Sequence, residues 1–432
     1  MKILVFNAGS SSVKYKFIDS VGPVNLNEGP HTALAFDAAQ HVPATDITQT
    51  VLASGVVERI GTPQSQLNGT DGRGDVSLPV KAANAEDAMD VILARLVGEG
   101  APLQSLDEVE AVGHRIAHAG AEYKCSVPID EHVKETVARY AELAPLHNPQ
   151  ALKVIERCEM AFPGLLQVAA FDTAFHQTMP ARNYIYPIPY RYYQQYGIRR
   201  FGFHGMSHKY VSRKAAEFLG KDPYDLKMIT CHLGAGASLC AIDHGVSMDT
   251  SMGYTPLDGI MMGTRSGSVD PAIITAIMEK ENLTPAEMDK ILNRDSGMLG
   301  VSGASGDLRA LKEVIADGDE QAELAYDIFL TSIRRQIGAY FFELAGVDVI
   351  VCTAGVGEND PYARRLIFRG LEPFGIHLDH DRNMITGKCV RRISTDQSKV
   401  EVLVVPTDEE AEIATDIALI SAGVDISDPY AR

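Results

Sequence analysis

The sequence of 432 residues has no C-x-x-C pair among its six cysteines, no excess of positive charge and no apolar run of membrane-spanning length. Each absence excludes a class of protein. The scattered cysteines (125, 158, 231, 240, 352 and 389) read as core thiols in a reducing compartment, so a cytoplasmic protein is expected. A formal net charge of −18 repels nucleic-acid phosphates, so no nucleic-acid partner is expected. A local group of arginines can still hold a small anion. The first apolar run, Ile3 to Phe6, stops at Asn7 and reads as a buried strand, too short for a signal peptide or anchor. No membrane partner is expected. The chain also has no G-x-x-x-x-G-K-[ST] and no H-E-x-x-H, so any nucleotide is held without a Walker A loop and no zincin motif is present.

What is present is ordinary in bulk and particular in order. Apolar residues at 45% and charged residues at 22% fit a soluble globular protein, and the length predicts two domains. Ile3 to Phe6, the polar turn Asn7 to Ser12, and Val13 to Ile18 read as strand, turn, strand. Residues 20 to 76 continue as short strands, with Asn68-Gly69 and Asp71-Gly72 as turn signals. Ala85, Ala88, Ile92 and Leu96 share one face at helical spacing, with Glu86 and Asp87 in the first turn. Later apolar runs (109–112, 168–171, 227–231, 239–242, 349–353 and 402–405) alternate with helical segments such as 320–344. The class is therefore α/β. Two halves that each carry a strand and a small-residue turn suggest a duplication around a central cleft, with no low-complexity linker between them.

Several segments carry chemistry. Asn7 to Lys14 places backbone N–H groups, hydroxyls and one ammonium where phosphate oxygens can approach, though an ordinary hairpin has the same composition. Two more glycine-rich turns, His232 to Ser238 and Gly355 to Asn359, each follow an apolar strand. Three such turns together favour a polyphosphate ligand. Arg115 and Arg265 lie among apolar and glycine residues, which suggests burial against an anion. The histidine pairs His114/His118 and His204/His208 stand at i, i+4. Without a third ligand they read as hydrogen-bond donors, and Gly205 and Gly120 argue against a regular helix at either. Asp172 ends a buried strand, where it can hold Mg²⁺ or cap a helix. Glu409-Glu410 reads as the acidic first turn of a capped helix.

The ordered set of motifs resembles the acetate kinase family, whose fold is shared with sugar kinases, heat-shock ATPases and actin. The stretches are N-A-G-S-S-S-V-K at 7–14, G-H-R at 113–115, L-A-P-L-H-N-P at 143–149, F-D-T-A-F-H-Q-T-M-P at 171–180 and G-F-H-G-M-S-H at 202–208. They continue with D-T-S-M-G-Y-T-P-L-D-G at 249–259, G-T-R-S-G at 263–267, A-G-V-G-E-N at 354–359 and V-P-T-D-E-E at 405–410.

The resemblance implies a duplicated ribonuclease H-like α/β fold. Its N-terminal domain would span 1–173, completed by 407–432, and a nucleotide-binding and dimerisation domain would span 174–406. It implies reversible phosphoryl transfer from ATP to acetate, giving acetyl phosphate and ADP by direct in-line attack, in a homodimer using Mg²⁺ (or Mn²⁺). By the same resemblance Asn7 and Glu409 lie near the metal, and Ser12 and Lys14 near the phosphates. Asp172, Arg265, His204 and Arg115 would be catalytic. Arg115, Ala117, Leu146 and Phe203 would bind the carboxylate substrate. His232, Leu233, Gly234, Ala235, Gly236, Asp307, Leu308, Arg309, Gly355, Val356, Gly357, Glu358 and Asn359 would hold the nucleotide.

Three positions depart from the family pattern. Ala119 replaces a glycine, Ala235 replaces an asparagine, and Ala117 stands where acetate-preferring members carry valine. The missing methyl groups at Ala117 make propionate the alternative substrate. An actin-like or chaperone ATPase is the alternative of a different class, and it would have no use for Arg115 and Arg265.

Overall fold

The computed structural model describes residues 1–21 and 47–427. The part of the 20–76 strand reading that falls on 22–46 lies outside the described residues. The chain forms two units, Met1–Ala174 with Asp408–Arg432, and Phe175–Thr407.

The first unit holds an eight-stranded sheet. Its strands are β1 (Lys2–Ala8), β2 (Ser12–Val21), β3 (Thr48–Glu58), β4 (Gln66–Asp71), β5 (Gly74–Pro79), β6 (Ala111–Ile116), β7 (Val127–Pro128) and β8 (Leu166–Phe171), in the order β5-β4-β3-β2-β1-β6-β8-β7. β1 to β5 run antiparallel, whereas β6 and β8 extend the sheet parallel to β1. Leu4, Phe6 and Ala8 pack with Met89 and Ile92 of helix Ala85–Leu96 and Val154 of helix Asn148–Ala161. Asn84 caps the first of these helices by accepting from the Asp87 N–H at 2.8 Å. On the opposite face lies helix Glu409–Ser421. A Cβ on Gly113 would stand 2.5 Å from Ile413 and 2.8 Å from Ile417, so only glycine lets this helix seat on β6. That seating fixes where Glu409 begins.

The second unit repeats the plan with β9 (Lys227–Leu233), β10 (Ala237–Asp243), β11 (Val246–Thr250), β12 (Val349–Thr353), β13 (Arg391–Arg392) and β14 (Glu401–Val404), in the order β11-β10-β9-β12-β14-β13. Here three antiparallel strands, against five in the first unit, precede two parallel ones. This is the duplication that the repeated strand-and-turn pattern suggested. Helix Glu320–Glu343 packs Phe329, Ile333 and Ile337 against one face of the sheet. Helix Gly205–Leu219 packs Val211 and Ala215 against the other.

Four local expectations are corrected. Asn68-Gly69 is no turn but the middle of β4, where Gly69 faces Gly55 beneath the Tyr15 ring and a side chain would not fit. Gly205 does not prevent a helix. It occupies the first helical position, where glycine's interior penalty is not felt, and the His208 N–H donates to the His204 carbonyl at 2.9 Å. Gly355 to Asn359 form one short helix, Ala354–Asn359, in place of an open turn. The cysteines are not all core thiols: Cys389 is exposed and Cys125 half-buried.

Candidate active site

In the first unit β1, β6 and β8 are parallel and end at one level, which is where open α/β sheets place their ligand groups. Asn7 pairs in register with Arg115, and the Asp172 N–H donates to the Ile116 carbonyl at 2.9 Å. The side chains meet there. Arg115 Nη2 donates to Asp172 Oδ2 at 2.9 Å and Nη1 to Asn7 Oδ1 at 3.4 Å, and its Nε lies 3.5 Å from Glu409 Oε2. Burial works against the Arg115 charge, but Asp172 and Glu409 outweigh it and hold the group above its ordinary value. Glu409 is pushed up to about 7, first by burial; Arg115 opposes the shift and the Asp172 and Glu410 carboxylates add to it.

Asp408 caps the helix that carries Glu409, accepting from the Ala411 N–H at 2.9 Å, and pairs with Lys16 Nζ at 2.6 Å. The capped-helix reading of this acidic run thus holds, and the same helix start brings Glu409 beside Arg115. Lys14 lies opposite Asn7 in the β1–β2 pairing and is exposed. Ser12 opens β2 and is half-buried. Ala117 is 8% exposed and follows β6 directly. Ala119 is buried against Val133, Val137 and Ala151, so its extra methyl belongs to the core. Leu146, by contrast, is 48% exposed.

His114, the neighbour of Arg115, is buried with Nε2 2.7 Å from Gln167 Oε1, and burial pushes it down to about 4. A histidine held below its ordinary value of 6.5 stabilises the fold above that value. The contribution is lost as pH falls through about 4. The expected loss on acidification is on the order of 3 kcal/mol. Urea midpoints at pH 7 and 4.5 should therefore converge in a His114→Leu/Gln167→Leu protein relative to the wild type. Equal acid shifts in both proteins would refute the assignment.

In the second unit β9, β12 and β14 end together in the same way, with Thr353 in register with His232. The β9–β10 hairpin carries Gly234, exposed Ala235 and Gly236 at its tip, and Leu233 is fully buried beneath it. Ala354 takes a left-handed conformation (φ 63°), and its N–H donates to Glu358 Oε1 at 2.8 Å. The same carboxylate oxygen accepts from the Thr407 N–H at 3.1 Å, so Glu358 braces the end of β12. Buried Arg364 holds the Gly357 and Glu358 carbonyls at 2.9 and 3.0 Å. A Cβ on Gly355 would meet nothing within 4 Å, so the surface is open there, whereas Gly357 is buried with the Cys352 backbone 3.2 Å from where its Cβ would stand; Asn359 Nδ2 folds back on the Gly355 carbonyl at 3.0 Å. Asp307 caps helix Leu308–Ala316 by accepting from the Arg309 N–H at 2.8 Å, and Leu308 is buried.

Arg265 sits in a tightly tied turn. The Met298 and Leu299 N–H groups donate to the Met262 and Gly263 carbonyls at 2.9 Å each, and the Met262 N–H donates to the Arg265 carbonyl at 3.1 Å. Its Nη1 donates to the Pro256 carbonyl at 3.2 Å, and among the described residues it has no carboxylate partner. Burial lowers its pKa accordingly. His204, at φ 57°, immediately precedes helix Gly205–Leu219 and makes no side-chain capping bond to it. A point 3.3 Å from Arg265 Nη1 and 3.6 Å from His204 Nε2 marks where a Cβ of Gly236 would stand, so cation and imidazole edge face one spot beside the hairpin. Phe203 is buried, its carbonyl 3.0 Å from His176 Nε2.

Sequence reasoning missed the polar cluster behind His204. His204 stacks on His232 at 4.1 Å, and Ser207 Oγ lies 2.8 Å from His232 Nδ1 and 2.7 Å from Thr407 Oγ1. His208 and Ser238 complete the cluster. The i, i+4 spacing of His204 and His208 was the available signal; hydroxyls on three other strands and turns gave none.

A sequence profile of the acetokinase family matches residues 2–415. The chain is 46% identical over 419 residues to the acetate kinase of Dictyoglomus turgidum, covering 96% of each. It is similar to the crystal structure of Porphyromonas gingivalis acetate kinase, with TM-score 0.86 and 42% identity over 97% of this chain and 99% of that one. A propionate kinase from Francisella tularensis matches with TM-score 0.83 and 35% identity, over 96% and 98% of the respective chains.

Proposed function

The chain belongs to the acetokinase family, and from that premise we propose that it phosphorylates acetate with ATP, reversibly, to give acetyl phosphate and ADP. One acetate oxygen forms a bond to the γ-phosphorus as the bond from that phosphorus to the ADP oxygen breaks. Acetate is already ionised at pH 7, so no general base is needed. What opposes the reaction is anion meeting anion, which positive charge and alignment must overcome.

The observation that carries this reading is Arg265: a partly buried guanidinium without a carboxylate among the described residues, beside His204 Nε2, is built for a transient anion. We assign Arg265 and His204 to the phosphoryl group in flight, Arg115 to the carboxylate, and Asp172 to orienting Arg115. The turns at Gly234–Gly236, Asp307–Arg309 and Gly355–Asn359 are assigned to the nucleotide. Ser12 and Lys14 are assigned to its phosphates, and Ala117, Leu146 and Phe203 to the substrate's apolar part.

Asn7 and Glu409 suit Mg²⁺ or Mn²⁺. They offer hard oxygen donors, and the raised pKa of Glu409 marks a carboxylate whose charge is under-compensated. Among the described residues no three His, Cys, Asp or Glu side chains gather as a metal cage. Mg²⁺ needs only one or two carboxylates alongside substrate phosphates. Bound there, the ion would neutralise charge on the polyphosphate.

Ala117 carries a second reading, propionate. Ala117→Val is expected to lower kcat/KM for propionate relative to acetate a few-fold, since one buried methylene is worth ~0.8 kcal/mol. An unchanged ratio would remove Ala117 from the argument. The deciding assay is ADP release with acetate, propionate and butyrate, with and without Mg²⁺, and hydroxylamine trapping of the acyl phosphate. ADP release that ignores the carboxylate would return the reading to a simple ATPase.

The reading includes a homodimer. Leu324, Ile328 and Phe342 share one stripe of helix Glu320–Glu343 and are 54%, 40% and 78% exposed. A cytoplasmic location is supported by six free cysteines. No helix among the described residues is long and apolar enough to cross a membrane.

A further inference from the structure

We propose that Thr230, His208 and Ser238 form a one-way hydrogen-bond chain that holds His204 as the neutral tautomer with its proton on Nε2. The inference deepens the reading above and rests on it for the statement that His204 meets the phosphoryl group. Thr230, His208 and Ser238 are then positioning residues.

The argument is a count of protons. Ser238 Oγ lies 2.8 Å from His204 Nδ1 and 2.8 Å from His208 Nε2, and it has one hydrogen to give. His208 Nδ1 lies 2.7 Å from Thr230 Oγ1. His208 is fully buried, and burial together with the rings of His176 and His232 holds its pKa well below the ordinary value. It is neutral and carries one N–H.

Two settings remain. If that N–H is on Nδ1, it donates to Thr230, whose own hydroxyl hydrogen then has no acceptor among the described residues. Thr230 is 0% exposed, where a hydroxyl left without an acceptor is costly. If the N–H is on Nε2, every proton is placed. Thr230 donates to His208 Nδ1, His208 Nε2 donates to Ser238, and Ser238 donates to His204 Nδ1. His204 then bears its hydrogen on Nε2, the atom that faces the same spot as Arg265 Nη1. A cationic His204 would need a proton on Nδ1, the atom that accepts from Ser238 in this setting, so the proton count excludes it. The relay therefore presents a donor without adding a second positive charge.

The test is the ring-nitrogen spectrum of the full chain labelled with ¹⁵N-histidine at neutral pH, His204 being identified by its absence from His204→Gln. The expected pattern is a single neutral tautomer protonated at Nε2; the Nδ1–H tautomer or an imidazolium overturns the proposal. Ser238→Ala should scramble that pattern and lower kcat roughly ten- to a hundredfold, with KM for both substrates within about threefold. Ser238→Thr, which keeps the hydroxyl, should recover most of the loss. An unchanged His204 pattern in Ser238→Ala also overturns the relay. A scrambled pattern with wild-type kcat in both Ser238→Ala and His204→Gln would instead support the relay and overturn the catalytic assignment of His204. Should Ser238→Ala fail to fold, the wild-type spectrum decides the tautomer.

Discussion

Asp172→Asn is expected to lower kcat by roughly two to three orders of magnitude, without adding a new ionisation to the pH profile. The carboxylate is 1% exposed at the end of β8, and its Oδ2 accepts from Arg115 at 2.9 Å. Asparagine keeps the shape and removes the charge. The guanidinium then loses its strongest partner and leans toward Glu409, already 3.5 Å from its Nε, which moves the clamp off the substrate carboxylate. If Asp172 instead took a proton from the nucleophile, the variant would show an altered pH dependence, because a base would have been lost. Acetate has no proton to give at neutral pH. Initial rates from pH 6 to 9 decide between the two roles. A new ionisation in the variant, or near-normal kcat, would sink the orienting role.

The fold was legible wherever the period of the sequence was strong. The face Ala85, Ala88, Ile92 and Leu96 became the buried face of a helix with the expected bounds. Most of the apolar runs became strands because central strands, parallel ones such as β1, β9 and β12 and also antiparallel β10, are buried on both faces and so read as unbroken hydrophobic stretches. Where a residue's usual meaning was overridden by its neighbours, the reading failed. Gly69 is a turn former by composition, yet here it lies within β4 so close to Ser54 and Gly55 of β3 that a Cβ would not fit. Gly205 is a helix breaker by propensity, but in the first turn it is carried by the packing of Met206, Ser207 and His208.

The site divides similarly. Asn7, Arg115 and Asp172 were findable because strand ends mark themselves in sequence. Ser238 and Thr230 were not, since a hydroxyl in a strand has no signature until the fold points it at an imidazole, and His208 showed only as half of the His204/His208 pair. Glu358, taken from the motif as a nucleotide contact, proves to have its carboxylate committed to Ala354 and Thr407. Its effect on nucleotide binding would therefore pass through the shape of the turn.

Arg265→Met is expected to lower kcat by roughly a thousandfold while leaving the thermal midpoint of the free protein unchanged or higher. The two halves of this expectation have one cause. Arg265 is partly buried, burial lowers its pKa, and no carboxylate among the described residues repays the lost hydration. Methionine keeps the aliphatic stem that packs in the tied turn and removes the unpaired charge together with one hydrogen bond to the Pro256 carbonyl, and relief of the buried charge is expected to offset that one bond. The transition state loses the cation that faces the same spot as His204 Nε2. Arg265→Lys should also fall well short of wild type, because an ammonium retains the charge without the planar fork. Scanning calorimetry and initial rates on the same preparations test the claim. A variant that loses activity and stability together would make Arg265 a structural residue. One that keeps its activity would move the anion site elsewhere. The expected split, with activity lost and stability kept, is what a charge held ready for an absent anion must show.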